Sequence, residues 1–141
     1  MNQANNLKRF TDAQQSDYQT ALSEIKNGRK RSHWMWYVFP QIQGLGLSET
    51  AKFYAIKDVQ EAADFLKHPV LGSRLIEISN AALTLPSNNA NSIFGSPDDM
   101  KLKSSMTLFA ALDQTNPVFQ SVLDKFFGGS KDQETLQLIQ K

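Results

Sequence analysis

In the stretch GRKRSHWMWYVFPQIQGLG, residues 28 to 46, Arg29, Lys30 and Arg31 stand directly before His33, Trp34, Met35, Trp36, Tyr37 and Phe39, and Lys26 adds a further cation just upstream. Cations gathered in a turn can hold a phosphate. Backbone N–H groups at the start of a following helix would point at the same anion, with Ser32 as the expected N-cap. The indoles of Trp34 and Trp36 can stack on a base, and Gln41 can read its edge. Phosphate beside a flat ring describes a nucleotide. The same residues also have a bland account: basic runs in turns are commonly solvated, and Trp and Phe clusters are commonly core.

A second stretch, IFGSPDDMKLKSSMTLFAAL, carries the other group of polar residues. On a helical wheel Leu102, Phe109 and Leu112 mark an apolar face. Asp98 and Ser105 fall in the middle of it, with Lys101 at its edge. A polar group on a core face needs a partner. A first-turn carboxylate can simply complement the helix dipole, and a serine can bond back to its own helix. Neither habit accounts for all three residues together, so a polar site is expected here. His33 is the first candidate acid or base, because imidazole exchanges protons near neutrality, and Asp98 is the second. His68, just before Pro69, reads as a helix-end residue.

Several chemistries are excluded or not expected. The chain has no cysteine, which removes disulfides, thiolate metal sites and a cysteine nucleophile. With two histidines in all, no metal site is expected. There is no G-x-S-x-G elbow, P-loop or H-E-x-x-H. The GLG at 44 to 46 lacks the third glycine and the preceding strand of a dinucleotide fingerprint, so no cofactor is expected. A net charge of +1 gives no reason to expect nucleic acid as a partner. The polar start MNQANNLKRF is no signal peptide and no apolar run is long enough for a membrane, so a cytoplasmic protein without membrane contact is expected.

The elements that must position these groups read as helices throughout. At 141 residues, with 40% hydrophobic and 21% charged, the chain suits one globular domain, expected over residues 10 to 141 behind a frayed segment 1 to 9. Thr11 and Gln14 propose a capping box for TDAQQSDYQTALSEIK, which Gly28 would close. Ser48 caps ETAKFYAI, and Asp58 with Glu61 makes a second box. Pro69, Pro97 and Pro117 each open a helix, the last two after Ser96 and Asn116. KDQETLQLIQ supplies a short final one. The aromatic stretch reads as a buried helix ending at Pro40, and PSNNANS at 86 to 92 as a surface loop. The expected fold is all-α, about six to eight helices in one bundle.

The runs GRKRSHWMWYVFPQIQGLG, FLKHPVLGSRL, IFGSPDDMKLKSSMTLF and FFGGSKDQETLQLI together resemble the bacterial family catalogued as domain of unknown function 1810, some of whose members carry a calpastatin label. The likeness runs from about Phe10 to Ile139 and implies a mainly α-helical single domain. The family pattern is matched at Lys30, Ser32, His33, Trp34, Trp36, Phe39, Pro40, Gln41, Asp98, Lys101, Ser104, Ser105 and Phe109. It implies no activity. A fainter likeness, in helical character and a polar-aromatic site rather than in a shared motif, is to the NADAR domains, which process ADP-ribose-type adducts.

Two functions follow as expectations. In one, the domain binds, and hydrolyses or transfers, a phosphorylated nucleotide-like molecule. Arg29, Lys30 and Lys101 would hold the anion, Trp34 or Trp36 the base, Gln41, Ser104 and Ser105 its orientation, and His33 or Asp98 the protons. In the other, it is a non-enzymatic interaction module whose basic turn meets an acidic partner. The first requires the two stretches to converge in one concave pocket.

Overall fold

Four phenylalanine rings run through the middle of the molecule. Phe10 meets Phe65 edge-on with ring centres 5.0 Å apart, Phe65 meets Phe109 at 5.5 Å, and Phe109 meets Phe119 at 5.7 Å. All four are fully buried, and each comes from a different helix, so the chain of rings fixes those helices against one another. The computed structural model describes residues 6–140. Those residues form nine helices, six of them seven residues or longer, and no strand. They are α1 (Lys8–Lys26), α2 (Met35–Val38), α3 (Glu49–Phe53), α4 (Val59–Lys67), α5 (Leu71–Leu83), α6 (Ala90–Phe94), α7 (Asp98–Ala110), α8 (Val118–Phe127) and α9 (Gln133–Ile139). The all-α expectation holds, and no described helix is long and apolar enough to cross a membrane.

α7 is the axis of the packing. It lies against α4, α6, α8 and α9, while α5 packs on α1, α4 and α8. Its run from Ser104 to Phe109 is buried without a break, which leaves no solvated stripe along the helix. The hydroxyls this buries are mostly paired. Thr107 Oγ1 donates to the Lys103 carbonyl and accepts from the Asp132 N–H, while Ser104 Oγ donates to the Met100 carbonyl at 3.1 Å and to Asp132 at 3.3 Å.

Side-chain acceptors meet the first free N–H groups at several helix starts. Ser48 accepts from the Ala51 N–H, Asp58 from Glu61, Asp132 from Thr135, and Asn116 from Val118. His68 ends α4, and its Nδ1 accepts the Val70 and Leu71 N–H groups at the start of α5, so one side chain serves the junction of two helices. Three expectations differ. α1 starts at Lys8, with Thr11 inside it and bonded back to the Lys8 carbonyl, so Thr11 and Gln14 form no capping box. Residues 90–92 of the loop expected at 86 to 92 are helical, because Asn89 accepts from the Ser92 N–H and caps α6. Of the segment 1 to 9 expected to be frayed, Lys8 and Arg9 belong to α1 and Leu7 stands at its N-cap, while residues 1–5 lie outside the described residues. Arg9 is held firmly: its guanidinium pairs with Glu61 at 3.2 Å, with side chains 8% and 3% exposed, and donates to the Phe53 and Ala55 carbonyls.

The aromatic stretch forms only the single turn α2. After Pro40 the chain extends, and Ile42 and Ile56 make an isolated parallel bridge through Ile56 N–H to Gln41 carbonyl and Gln43 N–H to Ile56 carbonyl.

Candidate functional site

The first wall of the site is built where α1 ends. The chain leaves that helix through Gly28, whose φ of 83° is a conformation that glycine takes without strain. Glu24, on the last turn of α1, then gathers the segment that follows. Its carboxylate accepts the Arg31 N–H (2.8 Å), the Ser32 N–H (3.0 Å), the Ser32 hydroxyl (2.6 Å) and the Trp34 indole N–H (2.8 Å). Burial opposes its charge, but the donors outweigh burial and hold the carboxyl at about 2. The first anion met by the basic turn is therefore the chain's own. This overturns the N-cap expected at Ser32: its hydroxyl is spent on Glu24, and α2 begins at Met35 with no side-chain cap.

The second wall is the start of α7. α6 closes at Gly95, the Ser96–Pro97 peptide is cis, and the helix opens on Asp98. Lys30 joins the walls. Its backbone N–H donates to the Ile93 carbonyl at 2.7 Å, and its ammonium pairs with Asp98 Oδ2 at 2.8 Å, donates to the Ser32 carbonyl and lies 5.1 Å from the Trp34 ring centre. With its side chain 7% exposed, Lys30 is a strut between the two stretches. Lys101 is held more loosely: its side chain is 22% exposed, and its ammonium sits 3.5 Å from Asp98 Oδ1 and 4.8 Å from the centre of the Trp36 ring.

Between the walls lies a cleft of about 380 Å3, with Arg31, Ser32, His33 and Trp36 on one side and Ser96, Pro97, Asp98 and Lys101 on the other. Lys30 and Met35 complete it. The lining carries Lys30, Arg31 and Lys101 against the single carboxylate of Asp98. His33 and Arg31 are exposed at its rim. The arrangement can hold an anion against Arg31 and Lys101, offer Asp98 as a hydrogen-bond acceptor, and exchange a proton through His33. A larger cavity of about 770 Å3 lies between α4, α5 and the loop after α7, around Leu66, Ile76, Leu112 and Asn116. It brings together no comparable set of cations and aromatic rings, so the smaller cleft is the stronger candidate. Among the described residues no group of three or more His, Cys, Asp or Glu could hold a metal ion.

The cleft thus brings together Lys30, Trp36, Lys101, His33 and Asp98 of the residues singled out in the sequence. The others lie elsewhere. Trp34 is buried with its N–H on Glu24, which leaves no face for a base. Arg29 is exposed but lines no part of the cleft, and Gln41 lies in a small pocket with Trp36, Ile42 and Tyr54. Ser104 is buried on Met100 and Asp132. Ser105 is 0% exposed, with no hydrogen-bond partner for its hydroxyl among the described residues. Both serines face the interior because α7 is buried along that entire stretch. Arg31, one of the three cations of the basic turn, does line the cleft, whereas Glu24 was absent from the expected site. The one signal for Glu24 was an acidic residue on the turn of helix that leads into a basic run.

A comparison with curated proteins gives no match. The crystal structure of a conserved hypothetical protein from Mycobacterium tuberculosis is similar, with a TM-score of 0.94 and 44% identity, over 96% of this chain and 97% of that one. The family model described as protein of unknown function, DUF1810, matches residues 4–139, which is nearly the whole sequence, and the chain belongs to that family.

Proposed function

We propose that the chain binds a phosphorylated, nucleotide-like small molecule of the ADP-ribose type in the cleft between residues 30–36 and the first turn of α7. The observation that carries this reading is the convergence of the two stretches on one concavity, with Lys30 and Asp98 in contact at 2.8 Å although far apart in the chain. Its volume, about 380 Å3, lies within the ordinary range for small-molecule sites. The anion lies against Lys101 and Arg31, Trp36 supplies a flat apolar wall, and His33 at the rim serves proton transfer when the ligand is hydrolysed or transferred.

A ligand that binds only the native state raises stability by about 2.7 kcal/mol at a hundredfold excess over Kd. Melting of the wild type should therefore rise in the presence of ADP-ribose or a nucleotide at low salt. The rise should be lost in Lys101→Met and Arg31→Met, which keep much of each apolar stem. No shift in the wild type across ADP-ribose, AMP, ADP and pyrophosphate would overturn the reading and leave the basic turn as a contact surface for an acidic partner.

A further inference from the structure

We propose that the cleft selects a phosphorylated sugar by reading a sugar hydroxyl with Asp98, and that it discriminates against bare phosphate; this rests on the cleft being the ligand site. Asp98 stands between two ammonium groups that hold it unequally. Oδ2 is paired at 2.8 Å with Lys30, which is buried as a strut, whereas Oδ1 faces Lys101 at 3.5 Å, longer than a good hydrogen bond. A carboxylate has about four acceptor positions, so the two ion pairs leave room for a further donor. Asp98 and Lys101 both line the cleft, and together they present an acceptor and a cation side by side.

That pairing constrains what can bind. An anion that reaches the Lys101 ammonium comes close to the negative oxygen of Asp98, and like charges at that range repel. A hydroxyl near the anion converts the conflict into a hydrogen bond: the hydroxyl donates to Oδ1 while the phosphate oxygens turn towards Lys101 and Arg31. A phosphorylated sugar or polyol has both groups at short spacing. The Lys101 ammonium covers one face of Trp36 at 4.8 Å, so a base could stack only on the other face, and the sugar and phosphate are what Asp98 and Lys101 read.

The test is titration calorimetry of the intact protein with ribose 5-phosphate, ribose, inorganic phosphate, AMP and 2′,3′-dideoxy-AMP. Losing a hydrogen bond to a charged group costs tenfold or more in affinity, so ribose 5-phosphate should bind about tenfold tighter than inorganic phosphate, and AMP about tenfold tighter than its dideoxy form. Asp98→Asn should reverse the ranking, weakening ribose 5-phosphate and strengthening phosphate. General electrostatics would instead strengthen both anions. Melting is followed in parallel because Asp98 also anchors Lys30, and should the variant not fold, the wild-type ranking alone decides. Phosphate binding as tightly as ribose 5-phosphate, or dideoxy-AMP as tightly as AMP, overturns the sugar reading while the anion site stands. Absence of binding by every anion overturns both.

Discussion

Glu24 shapes the first wall of the cleft, since its carboxylate is the common acceptor for Arg31, Ser32 and Trp34. In Glu24→Gln an N–H2 group must face one of these donors. The expected loss is about 1–3 kcal/mol, measured by denaturant unfolding at neutral pH. The loss should depend on pH in one direction. The folded-state value of about 2 lies below the ordinary 4.5, so the stabilisation is complete above pH 4.5 and is lost as pH falls towards 2. Wild type and variant should therefore converge in acid; a constant difference down to pH 2 would contradict the role given to the charge. Ser105 calls for the opposite result. Its buried hydroxyl has no partner among the described residues, so Ser105→Ala should leave stability unchanged or raise it by about 1 kcal/mol, with any ligand response intact. A loss of stability in that variant would mean that the hydroxyl is bonded after all. Sequence patterning found Ser105 and missed Glu24 for one reason: a helical wheel reports which side a residue occupies but not which partner lies across from it.

At the scale of elements, the junction of α4 and α5 shows how tightly neighbouring helices can be set by a single small residue. A Cβ added at Gly72 would stand 1.9 Å from the Leu66 carbonyl oxygen, a backbone atom that cannot move aside without shifting α4. Gly72→Ala should cost about 3 kcal/mol or more, despite the higher helix propensity of alanine, and a thermal melt would show it. An unchanged midpoint would mean that the two helices separate freely. The same region shows what local signals can deliver. Asp58 caps α4 and Glu61 sits three residues on, as the pattern D-x-x-E proposes, yet Glu61 accepts from the Lys57 N–H and takes Arg9 of α1 as its ion-pair partner. The cap was legible because it closes within four residues. The Arg9 contact was not, because it joins α1 to α4 across the sequence.

For the whole molecule, the rings of Phe10, Phe65, Phe109 and Phe119 link α1, α4, α7 and α8 into one core, so no half of the chain keeps its packing when the other unfolds. Unfolding should then be a single cooperative transition, with coincident midpoints by far-ultraviolet circular dichroism and by fluorescence of Trp34 and Trp36. Separated midpoints would show that the cleft and the core unfold independently. The all-helical class, the caps at Ser48 and Asp58, and the presence of a basic-aromatic turn and of polar residues at the start of α7 were determined by the sequence, because periodicity and capping act within one or two helical turns. Only the tertiary structure decided that Trp34 is core while Trp36 is a wall, that Lys30 is a strut on Asp98 while Lys101 stays accessible, and that Ser104 and Ser105 face the interior. Burial and pairing are set by neighbours that arrive from distant helices, and a linear pattern holds no record of which neighbour that will be.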